Sequence, residues 1–355
     1  MKVLHTADIH LRDQDDERWE ILQKLIKAGK KEKINLLVIS GDLFDKGVDA
    51  EKLRPKIRKI FSDNGFKVVM IPGNHDQESF RPGLFFGDDT IILTDPQKPF
   101  EFQNIRIAGL PFEKTGGEEI LNALNDLKKI FIKDKVNILL FHGELLDSFF
   151  SPGDFGEEDT RRYMPVWLDY FDGLNVSYIL AGHFHTKFDD RKLKNGGYFV
   201  YPGSPISITK KELGQRKVNI FEVGKPPKPY PLISPHFQKV EVVFDPLGEK
   251  DPAKKVKEHL EKVNPEARVL LSIKGCINGR KFSLTEEELK NKIEEMAQKA
   301  RVEGPVSYEF IDVREIVESE LFKNFSKKLD ESGIQEEKKK SVIDTVMKAM
   351  AEARS

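Results

Sequence analysis

Short apolar runs alternate with longer stretches of helical spacing along the first part of this chain. Five runs, at 2–6, 36–40, 67–71, 137–141 and 178–181, have strand length and composition. Between them the apolar positions recur at helical intervals. Trp19, Leu22, Leu25 and Ile26 line one face over 18–31, and Leu53, Ile57, Ile60 and Phe61 do so over 51–61. Ile120, Leu121, Leu124, Leu127 and Ile130 do the same over 118–132. Further strands are predicted at 105–108, 198–201 and 217–223. This alternation predicts a layered α/β domain over 1–223.

The pattern then changes. Residues 224–236 hold five prolines, Pro226, Pro227, Pro229, Pro231 and Pro235, which exclude a regular helix or a central strand and read as a semi-rigid linker. Beyond it, 237–313 reads as a small α+β unit. Strands are predicted around Val240, Val242 and Phe244, at 267–274 and at 306–313, with helices at 251–263 and 285–299. Thr285 and Glu288 have capping-box spacing. The last stretch, 315–355, reads as two amphipathic helices joined near Ser332-Gly333. Val317, Leu321, Phe325 and Leu329 form one stripe; Val342, Ile343, Val346, Met347 and Met350 form the other. Such a pair serves either as internal packing or as a docking surface for a partner.

Each of the five strand runs leads into metal-binding residue types. They end in Asp8-Ile9-His10, in Gly41-Asp42 with Asp45 close behind, in Gly73-Asn74-His75-Asp76, in His142, and in Gly182-His183-Phe184-His185. Alone, a strand-end histidine is ordinarily a surface residue or a satisfied core residue. Five such endings describe a sheet with ligands along one edge, the usual place for a site in a layered α/β protein. Of the eight histidines, His5 lies inside the first strand and is read as structural, while His236 and His259 have no carboxylate motif around them.

Asp8, His10, Asp42, Asn74, His142, His183 and His185 offer mixed nitrogen and oxygen donors. They are too many for one tetrahedral ion and match two ions sharing one carboxylate, assigned to Asp42. A set of this kind without thiolate suits Mn²⁺ or Fe and admits Zn²⁺, whereas Mg²⁺ and Ca²⁺ favour all-oxygen sites. Ions paired about 3.5–4 Å apart activate water and clamp phosphate oxygens. His75 follows the ligand Asn74, points elsewhere, and is placed to stabilise the transition state or protonate the leaving oxygen. Asp76 reads as the acceptor that orients His75, or as a turn residue. Asp45 reads as orienting a ligand or water, or as a solvated carboxylate. Gly41, Gly73 and Gly182 each precede a ligand, where a tight turn favours a residue without Cβ.

Composition narrows the setting. The 355 residues suffice for two domains, and a 39% hydrophobic content supports a packed core. Every apolar run is far shorter than the roughly 20 residues of a membrane helix. The chain opens on a strand pattern with no apolar leader, so export is not expected. The single Cys276 excludes an internal disulfide, and a reducing cytoplasm is the simplest location. A net charge of −1 offers no global field for nucleic acid. A local one exists. Between Lys187 and Lys217, eight basic residues stand against three acidic ones, an excess of +5. Lys187, Arg191, Lys192, Lys210 and Lys211 are candidate phosphate contacts, and Ser204 with its neighbouring amides a further one. The opposing reading is solvated loop lysines.

Taken together, Asp8-x-His10, Gly41-Asp42-x-x-Asp45, Gly73-Asn74-His75-Asp76, His142 and Gly182-His183-x-His185 resemble the signature of the calcineurin-like metallophosphoesterase superfamily. Leu4-His5-Thr6-Ala7-Asp8-Ile9-His10-Leu11, Gly41-Asp42-Leu43-Phe44-Asp45 and Tyr201-Pro202-Gly203-Ser204-Pro205 resemble its SbcD-type DNA repair exonucleases. The resemblance implies a four-layer β-sandwich flanked by helices, with a small α+β capping domain and a C-terminal helical pair. It also implies a Mn²⁺-dependent exonuclease and endonuclease acting on DNA, a homodimer, and an SbcC-like ABC ATPase held by the terminal helices. The capping unit and helices match in order and size only. Archaeal and eukaryotic members usually carry His at the position of Asp45, so no catalytic role transfers there. A phosphodiesterase for small nucleotides would share every ligand. A non-enzymatic scaffold would lack some of them.

Overall fold

The computed structural model describes residues 1–81, 83–147 and 162–353. They form two compact units, Met1–His236 and Phe237–Ser355.

The first unit is built on alternation. Its elements run β1 (Lys2–Thr6), α1 (Glu17–Glu32), β2 (Leu36–Ser40), α2 (Ala50–Phe61), β3 (Lys67–Ile71), β4 (Thr90–Ile92), β5 (Phe100–Phe102), β6 (Ile105–Leu110), α3 (Gly117–Ile130), β7 (Val136–His142) and β8 (Tyr178–Gly182). They continue through β9 (Asp189–Lys192), β10 (Tyr198–Tyr201), β11 (Lys217–Glu222) and β12 (Pro229–Pro231). One sheet has the order β12-β11-β1-β2-β3-β4 and the other β5-β6-β7-β8-β10-β9.

Successive residues of each strand go to opposite faces, and here both faces are covered. Val3, Leu36, Val38, Val69 and Ile71 meet Ile138, Leu140, Tyr178 and Leu180 of the other sheet. Their neighbours Leu4, Leu37, Ile39, Val68 and Met70 pack under α1 and α2. Leu139, Phe141, Ile179 and Ala181 pack under α3. Four layers result, helix, sheet, sheet, helix, which is why these strands read as unbroken apolar runs. The α2 stripe of Leu53, Ile57 and Phe61 lies in this core.

The five ligand-bearing runs, expected on the edge of one sheet, divide between two. β1, β2 and β3 belong to the first, and β7 and β8 to the second. The proline-rich run read as a linker carries β12, paired antiparallel to β11 at a sheet edge. An edge is where a strand without N–H donors is tolerated.

The second unit opens on β13 (His236–Phe244). It continues through α4 (Pro252–Leu260), β14 (Ala267–Ile277), α5 (Glu286–Lys299) and β15 (Ser307–Asp312), with sheet order β13-β14-β15. The α5 capping box is formed: the Thr285 side chain accepts from Glu288 N, and the Glu288 carboxylate accepts from Thr285 N. The terminal segment forms α6 (Arg314–Glu318), α7 (Glu320–Glu331) and α8 (Glu336–Glu352). Ser319 ends α6 and caps α7, which sequence spacing had merged. Phe322 and Met347 are buried with Cys276, Val313 and Ile316. Leu321, assigned to the apolar stripe, faces solvent at 69% exposure. The buried side of α7 keeps Phe325 and Leu329 of that stripe and takes Phe322 in place of Leu321.

Candidate metal centre

The loops after β1 and β2 remain hydrogen-bonded past the strand ends. Asp8 N donates to Gly41 O, Ile9 N and His10 N to Asp42 O, and Leu11 N to Leu43 O. Asp8, His10 and Asp42 all take left-handed backbone angles, as does His183 after β8. Non-glycine residues adopt such angles at a cost and concentrate where function requires them. The three glycines act by two different means. Gly41 has φ +93°, the turn conformation expected. Gly73 and Gly182 do not. A Cβ on Gly73 would collide with the Asp42 carboxylate, and one on Gly182 with Ser40 O, so close approach explains them.

The side chains then converge. Asp8, His10 and His185 place donor atoms within 4.8 Å of one another, as do Asp8, Asp42 and His142. His10 Nε2 lies 3.4 Å from His185 Nε2. Asn74 Oδ1 lies 2.8 Å from His142 Nε2 and 3.0 Å from His183 Nδ1. Asp42 stands between the two groups. Its Oδ2 is 3.7 Å from His10 Nε2 and 3.4 Å from His142 Nε2.

This arrangement fits divalent cations. Asp42 Oδ2 is buried and makes no hydrogen bond, a position that costs free energy unless a cation meets it. His142 Nδ1 lies 2.8 Å from Ser40 O. Once His142 gives up its second proton, donation there leaves the Nε2 lone pair facing Asp42 and Asn74, acceptors facing acceptors across a space that a cation would satisfy. Burial lowers the His10 pKa and keeps that ring neutral, as a ligand must be. Burial also raises the Asp42 pKa, but the facing His142 outweighs it and helps hold that carboxyl well below the usual range. His142 responds in the opposite sense: burial lowers it, yet Asp42 and Asp8 raise it to about 9.

Asp76, expected beside His75, lies elsewhere, and Asp45 stands there instead. Asp76 is buried and accepts from Gly73 N at 2.7 Å and Phe44 N at 3.1 Å. It braces the loops of Asn74 and Asp42. Burial and the nearby Asp42 charge push its pKa up to about 7. The carboxylate beside His75 is that of Asp45, whose Oδ1 is 3.4 Å from His75 Nδ1 and 3.8 Å from His10 Nδ1. Arg12 and Arg18 meet its other oxygen at 2.7 and 3.1 Å. Those two guanidiniums already neutralise Asp45, which makes a cation among His10, Asp45 and His75 the poorer alternative.

His75 is set apart in accessibility. Its side chain is 21% exposed, while those of His10, His142 and His185 are at 4% or less. Its backbone N–H donates to Asp42 Oδ1 at 2.9 Å, and its ring lies edge-on to His10 with centroids 4.7 Å apart.

The basic stretch divides. Lys187, Lys192, Lys210 and Lys211 are exposed. Arg191 pairs with Asp189 at 2.9 Å. Ser204 is fully buried, its hydroxyl bonded to Ile206 O and Glu212, and so offers nothing to a surface phosphate. Arg216, counted in the local excess, is buried too. Glu212, counted only against that excess, faces His185 Nδ1 at 3.5 Å from inside the protein.

Two facing sheets, strand ends rich in His and Asp, and a buried carboxylate between two donor groups define a metal-dependent phosphoesterase. The family model described as calcineurin-like phosphoesterase matches residues 1–187, and the chain belongs to that family. The DNA double-strand break repair protein Mre11 of Saccharolobus solfataricus is 25% identical over 231 residues. The match covers 60% of this chain, and the chain spans 56% of that curated relative's length. Among solved structures, TT1561 of Thermus thermophilus aligns at 16% identity over 61% of this chain and 92% of that one, with a TM-score of 0.40. A dimetal phosphatase from Danio rerio aligns at 13% identity over 62% and 91%, with a TM-score of 0.38. Among the described residues, no helix is long and apolar enough to cross a membrane.

Proposed function

We propose that this protein is a two-metal DNA nuclease. It would cleave phosphodiester bonds at DNA ends in double-strand-break repair, as exonuclease and endonuclease, together with an SMC-like ABC ATPase. The observation that carries the reading is the buried, unbonded Asp42 Oδ2 between two donor groups. Asp8, His10 and His185 would hold one ion, Asn74, His142 and His183 the other, with Asp42 shared and Mn²⁺ the metal. Paired divalent ions supply water activation at neutral pH and charge neutralisation on the phosphate.

This chain's own residues do the rest. Asp76 and the amides around it fix the Asp42 and Asn74 loops. His75, on the accessible rim and beside the Asp45 carboxylate, delivers a proton to the leaving oxygen. Lys187, Lys192, Lys210 and Lys211 hold backbone phosphates without reading sequence. The unit of β13 to β15 takes the capping role. The exposed Leu321 on α7 supports docking of the ATPase on the terminal helices, and the family resemblance supports a homodimer. A single, buried cysteine suits a reducing cytoplasm.

The substrate class rests on the likeness to a double-strand break repair protein and on the exposed lysines. The test is hydrolysis, in Mn²⁺, of linear duplex DNA beside a chromogenic phosphodiester. Degradation of the DNA from its ends is expected. Rapid turnover of the small ester with intact DNA would assign the site to small nucleotides.

A further inference from the structure

We propose that Glu212 is the positioning residue of His185: its carboxylate takes the Nδ1–H of the imidazole and thereby aims Nε2 into the metal centre. The proposal rests on the two-ion reading above.

His185 Nδ1 is buried and has no hydrogen-bond partner, and the group facing it is Glu212 Oε1 at 3.5 Å. On the opposite side of the ring, Nε2 lies 3.4 Å from His10 Nε2 and 3.9 Å from Asp8 Oδ1. An imidazole binds a cation through one nitrogen only when its proton sits on the other. A carboxylate that accepts that proton fixes the tautomer and the ring angle and makes the ligand more basic.

Glu212 itself is held in place. Its Oε2 accepts from Ile208 N at 2.8 Å and from the Ser204 hydroxyl at 3.0 Å, and its Oε1 accepts from Thr209 N at 3.2 Å. The buried Arg216 donates to Ser204 O at 3.0 Å, to Thr186 O at 2.9 Å and to His185 O. One guanidinium therefore joins the backbone of the candidate ligand to the loop that carries its acceptor. The competing explanation is a loop brace alone: the carboxylate would serve only the Ile208 and Thr209 amides.

The two explanations separate in metal uptake by the full-length protein. Mn²⁺ titration of the parent, followed calorimetrically and by the electron paramagnetic resonance of free Mn²⁺, should count two ions. Glu212→Gln keeps an oxygen for the loop amides but loses the charge that holds the imidazole proton. One ion should weaken by about 10–100-fold, with the other unchanged and the unfolding midpoint of the metal-free protein retained. Uptake of both ions as in the parent would overturn the proposal.

A second measurement does not depend on the variant folding. In ¹⁵N-histidine-labelled parent loaded with Zn²⁺, His185 should carry its proton on Nδ1 and the metal on Nε2. Metal on Nδ1, or a proton on Nε2, would overturn the proposal. A parent that takes up no ion would remove the two-ion reading and the proposal with it.

Discussion

The proposed function assigns Asp42 to both ions, and that role is testable alone. Asp42→Ala should empty at least one of the two positions in a metal titration. Retention of both ions would assign the shared carboxylate elsewhere. His75→Ala should leave uptake intact and lower hydrolysis by about 10²–10⁴-fold, the range for a lost general acid. A parallel fall in metal content would make His75 a ligand. Protonation supplies a third expectation. Without metal, Asp42 and Asp8 hold the His142 pKa at about 9 against burial. At pH 7 the ion must displace the second proton of His142. Apparent Mn²⁺ affinity should therefore rise with pH up to about 9, with protons released on binding. Calorimetry in two buffers of different ionisation enthalpy measures that release, and its absence would contradict a protonated His142.

Residue types and order were legible because each motif lies at or within a few residues of the end of its own strand. Roles set across the fold were not. Asp45 and Asp76 have equal standing in the sequence, and only the paths of the loops decide which one reaches His75. Glu212 belongs to no motif, and His185 meets it through a turn that no spacing rule describes.

At the scale of elements, strands buried on both faces announced themselves as continuous apolar runs, and the amphipathic helices between them by their spacing. The short edge strands β4, β5, β9 and β12 escaped notice. Three or four residues carry too little periodicity, and a proline-bearing strand reads as a loop. The division into two sheets escaped it too, because strand partners are not written in local pattern. The close approach at Gly182 follows from that division. A Cβ there meets Ser40 O on β2, in the other sheet. Gly182→Ala should destabilise the first unit by about 1–3 kcal/mol, as overpacking does, and lower its denaturation midpoint. An unchanged midpoint would show that the sheets can separate without penalty. In the second unit, Thr285→Ala removes the side-chain half of the α5 capping box. It should cost about 1 kcal/mol, read in the unfolding of that unit.

At the scale of the whole chain, net charge said little, since −1 over 355 residues hides a local basic stretch. Folding reduces that stretch by burying Arg216 and pairing Arg191, and leaves lysines at its surface. Replacing Lys187, Lys192, Lys210 and Lys211 by Ala should weaken binding to all DNA sequences alike. The logarithmic salt dependence should shallow by about 0.9 for each phosphate that is no longer neutralised, and an unaltered slope would place the DNA elsewhere. For the terminal helices, deleting 315–355 would uncover Cys276 and Val313, so a surface substitution is the cleaner probe. Leu321→Glu should abolish ATPase binding without moving the unfolding midpoint. Undiminished binding would make Leu321 an ordinary exposed apolar residue.

The most direct measurement is anomalous diffraction from a crystal of this protein grown with excess Mn²⁺. Two peaks about 3.5–4 Å apart are expected on either side of Asp42, one among Asp8, His10 and His185, the other among Asn74, His142 and His183. A single peak, or none within reach of Asp42, would contradict the account.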